Sequence, residues 1–295
     1  MLSILITIYN YNLLSVVEEL QKQCENCVID YEIIAQDDAS KSVFNIENEK
    51  INQIANCKFI ELDKNVGLRQ NKNLLVESSK FENLLILDGD CKIISSDFIK
   101  NYIDKIDDFD GIYGGRIHNE KCPSDNQKLR WKYGKFIEDK ITSERQKSKY
   151  VSFLFNNTLI KKDFFNSIKF DIRFQKYGHD DTQFSFKLMK NGFKPGHINN
   201  PIEHNDIDTN LVYYNKTKGS IENLLELYRS KQIDSNYIKM TRILSKLERL
   251  KLNYLIAFFY KIIQKPLKNN LISNNPSLFV YNVFRLGYLC EKSIN

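Results

Sequence analysis

The first hundred residues alternate two hydrophobic periods, and that alternation leaves few architectures open. Leu2 to Ile8 is a short apolar run rich in β-branched residues, whereas Leu13, Leu14, Val17 and Leu20 fall at helical spacing, and Tyr31 to Ala35 returns to a strand pattern. The same succession continues with Lys58 to Leu62 as a strand, Gln70 to Ser79 as a helix, Leu84 to Leu87 as a strand and Asp97 to Ile106 as a helix capped by Ser95 or Ser96. A β-α-β-α succession buries its apolar faces in a mostly parallel central sheet covered by helices, so the fold class is α/β.

In such sheets ligands bind where the loops converge at the carboxyl ends of the strands. The residues there are Thr7 to Asn12, then Asp37 and Asp38, then Asn65-Val66-Gly67, and finally Asp88-Gly89-Asp90. No glycine follows the first strand and no lysine-bearing phosphate loop is present, which argues against a dinucleotide-binding oxidoreductase and a P-loop enzyme. Asp88 and Asp90 flank a turn directly after an apolar strand, where two carboxylates can hold a hard divalent cation through oxygen. Asp180-Asp181 opens a helix that Gly192 ends. One carboxylate there suffices for capping, which leaves a general base among the two. His204 sits in a polar stretch rather than on an apolar face.

The middle of the chain, about 116 to 150, is polar and charged, and reads as the rim of a site. Trp131 and Tyr133 in it fit either an aromatic platform for a sugar or a place in the core. Tyr150 to Phe155 reads as a strand, Lys161 to Ser167 as a short helix, and the body closes near Asn210. Residues 1–204 carry 29 Lys+Arg against 30 Asp+Glu, so the whole excess of +6 comes from the last third of the 295-residue chain. From Ile238 the apolar residues follow a helical stripe, and residues 236–270 hold eight basic side chains and one acid. That pattern suits an interfacial helix on an anionic membrane surface, and equally a helix packed on the body with its lysines in water. The amino terminus has no basic leader and no run spans a bilayer, so a cytoplasmic protein is expected, with peripheral attachment to the inner face of the membrane as the role of the basic stretch. Six scattered cysteines read as reduced thiols, and Cys24-Glu25-Asn26-Cys27 lacks the second pair a zinc site needs.

Taken together, these motifs resemble the inverting glycosyltransferase family 2, of bacterial polysaccharide type, with its GT-A (nucleotide-diphospho-sugar transferase) fold. Ser3 to Asn10 is similar to the family's opening strand and loop, and Glu32 to Ser40 to its nucleotide-binding strand end. Asn65 to Asn73 resembles the segment that usually carries an Arg-Asn pair, with Lys72 at the Arg position. Leu87-Asp88-Gly89-Asp90 resembles the metal-binding Asp-x-Asp motif, Gly178-His179-Asp180-Asp181 the Glu-Asp motif, and Asn200 to His204 the segment that supplies a metal-binding histidine.

The resemblance covers residues 1 to about 225 and implies a GT-A catalytic domain over 1–225 followed by a basic amphipathic helical extension over 226–295. It implies that Thr7, Tyr9 and Asp38 contact the base or ribose of a nucleotide sugar, with Asn65 and Lys72 also on the nucleotide side. Asp88 would touch ribose or metal-bound water, and Asp90 with His204 would hold Mn2+ or Mg2+ on the diphosphate, Asp88 completing the metal set. Asp181 would be the base and Asp180 would bind the acceptor, with exchange of the two roles left open. The expected activity is transfer of a hexose or N-acetylhexosamine from a UDP-sugar to a hydroxyl of a glycan or lipid-linked glycan in cell-surface polysaccharide synthesis. No nucleic-acid partner is expected. The competing classes are a nucleotide-sugar-binding or nucleotidyltransferase-like α/β protein and a non-catalytic protein that binds a membrane surface.

Overall fold

The amino-terminal apolar run forms β1 (Leu2–Ile8), and every one of its seven residues is buried. Burial on both faces is why the run is continuous rather than alternating, as parallel strands covered by helices require. The computed structural model describes residues 1–174, 177–204 and 207–294. It divides into two units, the first made of Met1–Ile117, Lys140–Arg173 and Lys187–Asp206, the second of His118–Asp139, Phe174–Phe186 and Ile207–Asn295.

In the first unit β1 pairs in parallel with β2 (Tyr31–Asp37) on one side and with β4 (Asn83–Asp88) on the other, and β3 (Cys57–Glu61) extends the parallel set beyond β2. The remaining strands are β5 (Cys91–Ile93), β6 (Gly111–Tyr113), β7 (Arg116–His118), β8 (Asn157–Lys161), β9 (Pro195–His197) and β10 (Ile202–His204). The seven-stranded sheet runs β3-β2-β1-β4-β8-β6-β9, with β8 antiparallel to both neighbours, and a small sheet runs β5-β10-β7. The mostly parallel α/β sheet expected from the sequence is therefore present. Ile4, Ile6, Ile33, Leu85 and Leu87 form its core with Val17 and Leu20 of the helix Leu14–Asn26 and Phe98 and Tyr102 of the helix Phe98–Ile103. Burying each such aliphatic side chain contributes roughly 1.5–3 kcal/mol. Cys24 lies in this core, and all six cysteines are free thiols.

The second unit is helical. Helices Lys128–Tyr133, Asn210–Arg229, Lys239–Arg249, Leu252–Leu271 and Leu278–Ser293 gather Leu129, Tyr213, Leu244, Tyr260, Tyr281 and Phe284 into one core. The helix Asn210–Arg229 runs unbroken through position 225, where the sequence placed a domain boundary. Among the described residues no helix is long and apolar enough to cross a membrane.

Several local expectations are corrected. Tyr150 to Phe155 is not a strand; Phe153 and Phe155 bury their rings against each other and against Phe193, Phe165 and Phe170, so the apolar run serves an aromatic cluster in a loop. The polar stretch 116–150 holds β7 and the helices Lys128–Tyr133 and Thr142–Lys147. Tyr133 packs edge-on against Tyr281 at 5.2 Å in the helical core, which excludes it as an open platform. Neither Ser95 nor Ser96 caps the helix Phe98–Ile103; Asp97 is at the cap position without a side-chain hydrogen bond. The helical stripe from Ile238 is two helices, broken where Lys251 turns left-handed at φ 58°.

His197 supplies a measurable consequence of burial. Its Nε2 lies 2.8 Å from the Lys149 carbonyl, its Nδ1 is buried without a partner among the described residues, and Tyr113 and Phe153 set ring edges against it. Burial pushes its pKa down to about 4, with the Arg145 charge adding to the effect and the Lys149 hydrogen bond opposing it. The unfolded imidazole takes up a proton near pH 6.5 while the folded one does not, so this contribution is intact above pH 6.5 and declines as the pH falls towards 4. Urea unfolding is expected to show about 2 kcal/mol less stability from this group at pH 5 than at pH 7. A His197→Gln variant is expected to have a correspondingly shallower pH dependence over that interval.

Candidate active site

The site grows from the register of two neighbouring strands. Thr7 of β1 is the partner of Asp88 in β4, and the chain leaving β4 turns at once over the end of β1. The Gly89 amide donates to the Thr7 carbonyl at 2.8 Å, and a Cβ on residue 89 would stand 2.8 Å from that same oxygen, closer than a side chain tolerates. Glycine between the two aspartates is therefore a packing requirement. Thr7 Oγ1 points to Asp88 Oδ1 at 3.5 Å.

Lys72, on the helix Leu68–Ser78, is 4% exposed and directs its Nζ to Asp88 Oδ1 and to the Phe155 carbonyl, each at 2.9 Å. The Phe170 ring lies 5.8 Å from the ammonium. A lysine so enclosed loses its water and needs these acceptors. In this structure Lys72 acts as an internal counter-charge that orients Asp88.

Asp90 faces the small sheet. Antiparallel pairing of β10 with β5 sets His204 opposite Cys91, and His204 Nδ1 comes within 3.2 Å of Asp90 Oδ2. Burial alone would raise the Asp90 carboxyl, but the hydrogen bond and charge of His204 and the charge of Arg116 outweigh it and hold the group below the usual carboxylate range. Its other oxygen, Oδ1, is buried without a hydrogen-bond partner among the described residues. Arg116 was not singled out from the sequence beyond its place in the polar stretch; the Gly114-Gly115 pair that ends β6 is the signal that the chain turns there.

Asp38 holds a neighbouring loop. Its two carboxylate oxygens accept from the Val66 and Gly67 amides at 2.7 and 2.8 Å, and Asn65 Nδ2 donates to the Asp38 carbonyl at 2.9 Å. Gly67 takes φ 82° to present that amide just ahead of the helix Leu68–Ser78. Asp37 is spent on the Ser40 amide and hydroxyl. Tyr9 stands exposed in the loop after β1.

Asp180 and Asp181, which belong to the second unit, form the first turn of the helix Asp180–Lys190. Gly178 at φ 84° and His179 at φ 62° turn the chain into it, and Asn223 holds the Gly178 carbonyl. Burial, and then the Arg285 charge, push His179 down to about 4, so its imidazole is neutral beside the two carboxylates at pH 7. Trp131 Nε1 donates to the Asn119 carbonyl at 2.8 Å and its ring meets Phe136 edge-on.

Thr7, Lys72 and Asp88 are thus in contact, as are Asp90 and His204, and Asp38 and Asn65. Among the described residues no group of three or more His, Cys, Asp or Glu side chains is gathered closely enough to hold a metal ion. The orphaned Asp90 oxygen beside an imidazole is nonetheless a hard donor set of the kind Mn2+ or Mg2+ accepts, with the remaining positions left to other oxygens.

The mostly parallel sheet followed by a helical carboxyl-terminal region has the GT-A fold, which it shares with solved glycosyltransferases. The sequence matches Glycosyl transferase family 2 over residues 3–172, more than half of its length, and the chain belongs to that family. Among solved structures, a mannosyltransferase from Pyrobaculum calidifontis in complex with GDP-Man and Mn2+ is similar at a TM-score of 0.53 and 13% identity, over 77% of this chain and 64% of that one. S. aureus TarS 1–349 in complex with UDP-GlcNAc is similar at 0.53 and 15% identity, over 99% of this chain and 91% of that one. A further structure of S. aureus TarS 1–349 is similar at 0.51 and 15% identity, over 99% of this chain and 90% of that one. At these identities the likeness is one of fold. No curated protein matches the sequence significantly.

Replacing Lys72 by Met leaves Asp88 without its ammonium. Removing one member of a buried pair costs about 3–5 kcal/mol, and because Asp88 is 30% exposed a loss of about 2–3 kcal/mol is expected on denaturant unfolding. An unchanged unfolding midpoint would show that the pair contributes nothing to the fold.

Proposed function

We propose that this protein is a metal-dependent inverting glycosyltransferase that moves a sugar from a nucleoside-diphosphate donor, UDP-sugar first among them, to a hydroxyl of a glycan or lipid-linked glycan, in the cytoplasm and in cell-surface polysaccharide synthesis. The observation that carries this reading is the buried Asp90 Oδ1 beside His204, without a hydrogen-bond partner among the described residues, next to an Asp88 fixed by Lys72 and Thr7 at the end of the parallel sheet. Family membership supports the reaction class, and the neighbours solved with GDP-Man, Mn2+ and UDP-GlcNAc support a nucleotide-sugar donor and a divalent ion.

In this reading Asp90 and His204 hold Mn2+ or Mg2+, with Asp88 beside them. When bound, the ion neutralises charge on the departing diphosphate as a Lewis acid. Tyr9 offers an exposed ring to the base, Thr7 a hydroxyl, and Asp38 with Asn65 shapes the loop that borders the nucleotide. Asp181 takes the proton of the acceptor hydroxyl while the acceptor oxygen bonds to the anomeric carbon and the bond from that carbon to the diphosphate oxygen breaks, which inverts the centre. Asp180 binds the acceptor. The two aspartates exchange roles if the acceptor approaches the other way.

Calorimetric titration of UDP, GDP, dTDP and CMP, with and without Mn2+, tests the donor half. One diphosphate is expected to bind in a metal-dependent way, and Asp90→Asn is expected to weaken the metal-dependent part at least as much as losing an outer-shell partner does, about 10–100-fold. Binding of none of them, or binding indifferent to both Mn2+ and Asp90→Asn, would overturn the metal assignment. Asp181→Asn is expected to keep nucleotide affinity and to lose about 10²–10⁴-fold in transfer rate. A variant that still transfers at the parent rate would return the base to Asp180.

A further inference from the structure

The helix Leu252–Leu271 buries only one side. Asn253, Ala257, Tyr260 and Leu271 turn inward, and the helix packs along Leu278–Ser293. On the outer side Tyr254, Leu255, Phe258, Phe259 and Ile262 are 52–62% exposed, with Leu252 and Ile263 at the margins. Single exposed apolar residues are ordinary, but five of this size on two and a half turns form a continuous patch.

The charges on this helix have one sign. Lys251, Lys261, Lys265 and Lys268 are exposed on the same helix and at its start, and the preceding helix Lys239–Arg249 exposes Lys239, Arg242, Lys246 and Arg249 at three- and four-residue spacing. No acid occurs between Glu248 and Glu291. A second copy of the chain would set this lysine-bordered face against its own like charges. A nucleic acid could stack bases on the aromatic rings but would leave the aliphatic Leu255 and Ile262 in water. An anionic bilayer accepts both parts of the pattern, the rings entering the acyl boundary and the ammonium groups meeting headgroup phosphates.

We propose that the outer face of Leu252–Leu271 docks flat on an anionic lipid surface, the helix lying in the plane of the membrane without crossing it. The apolar side chains reach about 5–10 Å below the headgroups. The positive stretch before them supplies the attraction at longer range, and raising the salt concentration weakens it.

Co-sedimentation of the full chain with phosphatidylcholine vesicles and with phosphatidylcholine–phosphatidylglycerol vesicles tests this without measuring sugar transfer, so its failure leaves the transferase reading standing. Binding is expected to the anionic vesicles only. Two variants read the two parts: Leu255→Ser with Phe258→Ser and Ile262→Ser removes exposed apolar surface, and Lys261→Gln with Lys265→Gln removes charge. All five positions point to solvent, so both variants should keep the parent's circular dichroism and unfolding midpoint. Each is expected to lower the partition coefficient, the lysine pair by about tenfold or more. Absence of parent binding to anionic vesicles overturns the proposal, as does binding unmoved by either variant. A parent that sediments as a dimer and becomes monomeric in the triple serine variant, without vesicle binding, would assign the face to self-association instead.

Discussion

The contact between the Gly89 amide and the Thr7 carbonyl, 2.8 Å long, fixes where the rest of the site falls. β1 and β4 lie side by side in register, so the chain leaving β4 has room only for a backbone without a side chain as it crosses the end of β1. That crossing separates two aspartates by one residue and sends them to different surroundings. Asp88 stays on the main sheet with Thr7 and Lys72, whereas Asp90 lies against the small sheet, where β10 brings His204 to it across the pairing with β5. A bulkier residue at position 89 would push the turn off the strand end and move both carboxylates together.

The two carboxylates are balanced by different means. Asp88 has a buried ammonium from the helix side, a point charge whose donors go to Asp88 and a main-chain carbonyl. An arginine there would present a planar fork, and lysine gives up that geometry for a compact charge that fits among Phe155 and Phe170. Asp90 has an imidazole and the nearby Arg116, which together overcome the cost of burial. The balance leaves one Asp90 oxygen buried without a partner among the described residues, and a buried unsatisfied anion oxygen costs about 1–3 kcal/mol or more. A fold keeps such a cost where a ligand removes it, which is why the oxygen weighs more in the functional reading than the aspartate triplet does.

What the sequence disclosed follows the length and burial of each element. β1, β2 and β4 were legible because both faces are buried and the apolar runs are long enough to register. β6, β9 and β10 have three residues each, too few for any period to show, so the approach of His204 to Asp90 came only through the resemblance, and the antiparallel strand β8 was not anticipated at all. The helix Asn210–Arg229 went unread because it buries Asn210, Thr217 and Asn223 along with its tyrosines and leucines, which blurs the apolar stripe. Tyr150 to Phe155 misled in the opposite direction, since aromatic side chains buried from a loop imitate a strand. The partners of Lys72 and Asp38 lie far along the chain, and no local spacing encodes them.

The distribution of charge separates the two parts of the chain by what each cation can reach. Over residues 1–204 acids and bases nearly cancel, and the structure uses them at close range: Lys72 on Asp88, His204 on Asp90, Lys169 on Glu77. Arg145 is buried where its guanidinium donates hydrogen bonds to the carbonyls of Lys140, Gly114 and Ile198. Beyond Glu248 there is no acid until Glu291, so lysines there have no local partner of opposite sign in sequence and stand in water. An unpaired lysine at the surface costs little, but its field extends about one Debye length into solvent and adds to that of its neighbours. The same residue type therefore serves as internal structure where a carboxylate is in reach, and as a source of external field where none is. The apolar face of Leu252–Leu271 lies within the second kind of environment, which ties its exposed rings and its excess charge to one surface rather than to two unrelated accidents of composition.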